Sequence, residues 1–75
     1  MPLFKVDAIV RATNGDIEVL RAYHFQAYTY ADAEKVADNW VKVRGFDNPA
    51  ARVRIVQGDL IRSERMVGET GWTWS

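Results

Sequence analysis

The first quarter of the chain alternates between apolar and polar side chains, and this period of two limits the segment to a half-buried strand. Asn14-Gly15 follows the run, and a further alternating run covers residues 17–26. Asn-Gly between two such runs is a strong hairpin signal, because both residues tolerate positive φ. The face predicted to form the core carries Phe4, Val6, Ala8, Val10 and Ala12.

A two-residue loop at Asn14-Gly15 would set the register of this hairpin. It predicts apolar pairs on the core face and an Arg11–Glu18 pair on the reverse face. Arg21 would fall opposite Ala8 on the core face, so either its guanidinium extends to the sheet edge or the strand contains a β-bulge. The predicted pairs are Ala12–Ile17, Val10–Val19, Val6–Tyr23, Phe4–Phe25 and, on the reverse face, Ile9–Leu20.

The next segment carries one helical stripe, which predicts a helix over about residues 30–44. Thr29 is a suitable N-cap, with Asp32 at the third helical position, and Gly45 suits the position after the last turn. We expect Trp40 and the small residues of the stripe to pack against Phe4, Tyr23 and Phe25. On the polar face Asp38 and Lys42 are spaced for an ion pair. The stripe consists of Ala33, Val36, Ala37, Trp40, Val41 and Arg44.

The last third of the chain predicts another hairpin. A loop covers residues 46–51, and alternating strands cover residues 52–56 and 60–67 around a turn at residues 57–59, which places Arg52 opposite Glu64. Residues 72–74 could add a short last strand. The element order is ββαββ(β), which predicts an α+β fold for residues 1–75 as one domain. Its antiparallel sheet of four or five strands would have one amphipathic helix packed on one face.

Composition restricts the functional class. Ten acidic residues balance ten basic ones, which argues against a general duplex-binding protein, whose affinity depends on neutralising phosphates. Cysteine is absent, so disulfides and thiolate metal sites are excluded. Apolar runs are too short for a membrane span, and residues 1–5 lack the apolar core of a signal peptide. We expect a cytoplasmic protein.

No residue pattern carries a catalytic signature. His24 is the one histidine, and it alternates with the core-facing residues, so we expect it at the surface without a metal. The glycines fall at turn or cap positions and form no phosphate loop. The sequence therefore predicts a protein that is not an enzyme and needs no cofactor or metal.

Arginine outnumbers lysine by seven to three, which favours fixed, bidentate contacts to phosphate or carboxylate. Four arginines lie on two strands expected to be neighbours, and they form either a solvated face or an arginine-rich binding face. Trp72 and Trp74 either close the edge of the core or anchor a partner or a second copy. The candidate partner-binding residues are Lys35, Lys42, Arg52, Arg54, Arg62, Arg65, Trp72 and Trp74.

The segments ADAEKVADNW (31–40) and RVRIVQGDLI (52–61), followed by a tryptophan near the end, resemble in layout the small phage-encoded type I anti-CRISPR proteins. The resemblance covers about residues 27–74. It implies an α+β domain whose basic side chains around the helix bind the surveillance complex and block target-DNA pairing. Lys35 matches a basic helical position of that group, whereas Glu34, Asp38 and Asn39 depart from it.

Three hypotheses follow. The leading one is a non-catalytic inhibitor from a phage or mobile element that occludes a host nucleoprotein complex, such as a CRISPR effector. The second is a small nucleic-acid-binding module that uses the arginine-rich sheet face. The third is a homo-oligomeric structural protein, with a homodimer formed through Trp72 and Trp74 or through a free sheet edge.

Overall fold

A computed structural model describes residues 2–46, 48 and 50–74, and it consists of one helix on a five-stranded antiparallel sheet. The strand order is β2-β1-β3-β4-β5, so β2 and β5 form the two edges. This confirms the predicted α+β fold and the optional fifth strand. Within the predicted loop 46–51, residues 47 and 49 lie outside the described residues. The elements are β1 (Leu3–Arg11), β2 (Ile17–Gln26), α1 (Tyr30–Arg44), β3 (Arg52–Gln57), β4 (Leu60–Met66) and β5 (Thr73–Trp74).

Helix α1 begins and ends at the predicted residues. Thr29 has an extended backbone (φ −130°), and its hydroxyl accepts a hydrogen bond of 3.1 Å from the backbone N–H of Asp32. At the other end Gly45 adopts φ 63°, and its N–H donates to the carbonyl of Val41 at 3.0 Å. Local capping chemistry therefore fixes both ends of the helix. No helical segment in the described part of the chain has the length and apolar character needed to span a bilayer.

The core lies between α1 and the neighbouring strands β1 and β3. Alanines 33 and 37 are fully buried and let the helix approach the sheet closely, while Trp40 fills the wider space beside them. Trp40, Phe4 and Phe25 belong to one buried cluster, as predicted, and each such side chain contributes on the order of 1.5–3 kcal/mol. Tyr23 shares this face of the sheet but remains 47% exposed.

The first hairpin has a three-residue loop, and the prediction of a two-residue loop is wrong. The N–H of Gly15 donates to the carbonyl of Ala12 at 2.9 Å, and the N–H of Ala12 donates to the carbonyl of Asp16 at 2.8 Å. Gly15 alone carries the positive φ (92°), which is the pattern of a type I turn followed by a left-handed residue. Arg11 therefore pairs with Ile17, and the predicted Arg11–Glu18 pair does not form.

A β-bulge at Leu20 restores the register that was predicted for the rest of this hairpin. Ala8 pairs with Arg21 and Ile9 pairs with Val19, which leaves Leu20 as the extra residue of β2. The strand therefore contains the expected bulge, but Arg21 still lies opposite Ala8, and its side chain is exposed at the sheet edge. Because the loop and the bulge shift the register in opposite directions, the predicted pairs Phe4–Phe25 and Val6–Tyr23 are confirmed.

The second hairpin also differs from the prediction. Gln57 pairs with Leu60, so the turn contains two residues, 58 and 59, rather than three. Gly58 supplies the positive φ (64°) that the first position of such a turn requires. Arg62 is the extra residue of a bulge in β4, and the shorter turn and the bulge together place Arg52 opposite Met66 instead of Glu64.

Candidate interaction surfaces

The four arginines of β3 and β4 lie on opposite faces of the sheet. Arg54 pairs with Asp7 of β1 on the face without the helix, and Arg52 lies two residues away on the same face. Arg65 pairs with the core residue Val53, and Arg62 contacts Tyr30 at the start of α1. The four arginines therefore do not form one sheet face, because the bulge at Arg62 leaves both Arg62 and Arg65 on the helix side.

An ion pair with a fully buried carboxylate lies at the centre of the helix-free face. Asp7 is completely buried, and Arg54 donates to its two carboxylate oxygens at 2.8 and 2.9 Å. The Lys5 ammonium lies 3.7 Å from the same carboxylate. The hydrogen bonds to Asp7 raise the pKa of the Arg54 guanidinium against the opposing effect of burial. Arg54 is therefore held within the fold by its two hydrogen bonds to Asp7, and its side chain is only 14% exposed.

The remaining polar residues of the helix-free face are exposed. Arg52 lies 3.5 Å from the Glu64 carboxylate, with both side chains about half exposed, so the pair is worth about 0.2–1 kcal/mol. His24 lies opposite Lys5 and is exposed, as expected. The described residues contain no group of three or more His, Cys, Asp or Glu side chains that could hold a metal ion.

Arg65 is buried between α1 and the end of β4. Its guanidinium donates to Asp38 of the helix at 2.8 Å and lies 4.7 Å from the ring centre of Trp72. It also donates to three backbone carbonyls of the following turn, those of residues 66, 67 and 69, at 2.8, 3.1 and 2.6 Å. Arg65 thus holds the chain end against the helix, and the predicted Asp38–Lys42 pair is replaced by Asp38–Arg65.

The two C-terminal tryptophans also have internal partners. The indole N–H of Trp72 donates to Asp38 at 2.9 Å, and that of Trp74 donates to Glu34. The ring of Trp74 stacks on the ring of Tyr30, with the two centroids 4.3 Å apart. The Arg62 guanidinium also contacts Tyr30 and lies 5.3 Å from the centre of its ring. These contacts fit the expectation that the tryptophans close the edge of the core.

A groove remains open between α1 and the edge strand β2. The side-chain hydrogen bonds of α1 described above are with β4 and the segment that contains β5. On the side of α1 that faces β2, nothing in the described chain covers Tyr23. The groove measures about 420 Å³, and two large apolar side chains stay exposed at it, Tyr23 at 47% and Val43 at 75%. Its lining consists of Tyr23, Lys35, Val36, Asn39, Trp40 and Val43.

One of the two predicted helix lysines lines this groove, and the other lies outside the lining on the same helical stripe. Lys35 lines the groove, and Lys35, Asn39 and Lys42 follow one another at i, i+4 and i+7, which places them on one stripe of the helix. Neither lysine forms an ion pair with another described residue. Lys35 and Lys42 are therefore exposed members of the predicted set whose charge is not neutralised by an ion pair among the described residues.

Sequence reasoning missed Tyr23 and Val43 as surface residues. Tyr23 was placed in the core by its alternation, and Val43 lies three residues after Trp40, beside the main stripe. An apolar residue just off the buried stripe is the signal that could have indicated a second apolar surface on the helix.

Comparison with protein-family models, with curated proteins and with solved structures yields no match for this chain.

Proposed function

We propose that the protein is a non-catalytic binding protein whose partner docks on the groove between β2 and α1. The carrying observation is the exposure of Tyr23 and Val43 in a concave site whose helical edge carries Lys35 and Lys42. Exposed aromatic and aliphatic side chains beside free cations are the composition of a protein-binding surface rather than of ordinary solvated surface.

The size of the domain is sufficient for this role. A stable interface covers roughly 800 Å² on each partner, and the described surface totals 4988 Å². Such an interface would occupy about one sixth of the molecule. A rigid sheet with a capped helix can therefore occlude a partner's surface without changing its own fold.

We further propose a host nucleoprotein complex of the CRISPR type as the partner. The support is the layout-level resemblance to type I anti-CRISPR proteins, together with the two lysines on the open side of the helix. The lysines would lie against acidic side chains or phosphates of the complex, and their charge would also accelerate the encounter.

The arginine-face alternative lacks comparable support. Arg62 and Arg65 contact residues of the helix side, and Arg54 is bound to Asp7. Single-strand binding surfaces combine basic residues with exposed aromatic rings, and the ring contacts of the described chain lie on the helix side of the sheet.

The test co-expresses the protein with a panel of type I effectors and measures plasmid survival under targeting. We expect the unmodified protein to protect the plasmid and the double variant Lys35→Glu/Val43→Glu to lose this protection. Arg11→Glu is the matched control, because it reverses an exposed charge far from the groove. Failure of the unmodified protein across the panel would reject the CRISPR partner.

Capture from a host lysate tests the docking site separately. If the double variant retains the same proteins as the unmodified chain, the groove is not the binding surface. Circular dichroism of each variant establishes that the fold is intact before either comparison is made.

A further inference from the structure

The edge strand β2 has one neighbour in the sheet. Its ten residues pair with β1, and no described strand lies on its other side. Such an edge presents backbone N–H and C=O groups that can pair with another extended chain. The groove described above lies at this same edge, because Tyr23 of β2 forms one of its walls.

The register shows which residues of β2 direct their backbone N–H and C=O groups away from β1, toward the free edge of the sheet. The N–H of Ala27 donates to the carbonyl of Pro2 at 3.2 Å, so this pair belongs to the hydrogen-bonded kind. In an antiparallel ladder the two kinds of pair alternate, and Tyr23 and Phe25 therefore exchange their bonds with β1. The residues that direct their N–H and C=O groups to the free edge are consequently Ala22, His24 and Gln26.

An incoming strand would place alternate side chains in the groove. A residue directly opposite Tyr23 projects to the helix side of the sheet, since paired residues share a face. It would meet Tyr23 on one side and the valines 36 and 43 on the other. Backbone pairing would then supply affinity, and the groove would select the side chain.

We infer that the partner supplies an extended peptide segment that adds to β2 as a sixth strand. This inference rests on the proposed binding function and names the chemistry of the partner. The segment carries a large aliphatic or aromatic residue opposite Tyr23 and an acidic residue two positions away, on the same face. The acid is required by charge complementarity, because the groove lining contains Lys35 and no carboxylate, and Lys42 extends the same stripe.

The experiment selects phage-displayed random 12-residue peptides on the unmodified protein and measures the affinity of the enriched peptides. The edge variant is His24→Pro, which removes an outward N–H and leaves the bonds to β1 in place. His24→Ala is its matched control, because it removes the same side chain but keeps the N–H. The groove variant is the double reversal Lys35→Glu/Lys42→Glu, at two exposed positions where folding is not at risk.

We expect enriched peptides to contain an apolar residue with Asp or Glu two positions away. Their affinity should fall by about tenfold or more in His24→Pro and in the lysine double variant, and stay unchanged in His24→Ala. Peptide binding should also slow amide hydrogen exchange at residues 22, 24 and 26, whose exchange we expect to be rapid in the free protein because their N–H groups face the free edge.

Three outcomes would overturn the inference. One is the absence of peptides that bind the unmodified protein better than His24→Pro. Another is binding that the lysine double variant retains, which remains informative even if the proline variant unfolds. The third is a dimer in light scattering that His24→Pro converts to a monomer, since β2 would then be occupied by a second copy. None of these results depends on plasmid protection. They can therefore reject the added peptide strand without rejecting the proposed CRISPR partner, and the plasmid assay can reject that partner without rejecting the strand.

Discussion

Replacing Arg54 by methionine should destabilise the protein more than any exposed substitution. Asp7 is fully buried, and in this variant its carboxylate would keep only the Lys5 ammonium at 3.7 Å. Removing one partner of a buried ion pair costs about 3–5 kcal/mol. A chain of 75 residues has a total stability of roughly 4–11 kcal/mol, so Arg54→Met should leave the domain close to its unfolding threshold.

Substitution of the other member of the ion pair, Asp7→Asn, should reduce the free energy of unfolding by less. In Asp7→Asn the amide oxygen can still accept one hydrogen bond from Arg54, whose side chain is 14% exposed and lies opposite Glu64. The remaining cation thus has a second partner and a path to water, and we expect a loss of about 1–3 kcal/mol.

Urea unfolding of a double-mutant cycle provides the measurement. The double variant Asp7→Asn/Arg54→Met should be more stable than the sum of the single losses predicts, by about 1–3 kcal/mol. Because the pKa of Arg54 is raised, its contribution is fully present below its unfolded-state pKa and is lost only in strongly alkaline solution. The result at pH 7 is thus free of arginine titration. Additive losses, or a loss below about 1 kcal/mol for Arg54→Met, would refute the claim that Asp7 and Arg54 form a buried, energetically coupled ion pair.

Three further substitutions test local geometry by urea unfolding. Gly58→Ala should cost about 1–2 kcal/mol because residue 58 has φ 64°, whereas Gly68→Ala should change stability by less than about 0.5 kcal/mol; equal losses would contradict the turn assignment. Thr29→Ala should cost about 1 kcal/mol through the lost N-cap, and Thr29→Ser should restore it; if serine fails to do so, the hydroxyl is not the cap. Trp72→Phe should cost about 0.5–1.5 kcal/mol because the exposed hydrogen bond to the Asp38 carboxylate is lost; a neutral result would mean that this hydrogen bond contributes no more than hydration of the same groups.

The elements that depend on local chemistry were predictable from the sequence. Helix α1 has the predicted ends because Thr29 and Gly45 act within one turn of the helix. A bulge near Arg21 was one of two alternatives predicted for this strand, and it lies at Leu20, the residue before Arg21.

The features that depend on distant pairing were not predictable. The pairing of β1 with β3 brings Asp7 opposite Arg54, although 47 positions separate them in the chain. Arg62 and Arg65 are three residues apart, so a regular strand would project them to opposite faces, and only the bulge at Arg62 places both on the side of α1. Similarly, Tyr23 has the alternation of a core residue, and only the position of the helix over the sheet leaves it exposed.

The bulge at Leu20 has a consequence for how the molecule behaves at high concentration. It interrupts the regular backbone of β2, which leaves about six residues (21–26), or roughly 20 Å, as an uninterrupted stretch. Beyond it the strand bends and twists more strongly. A second copy could therefore pair regularly only with this short stretch, which disfavours edge-to-edge association along the whole strand.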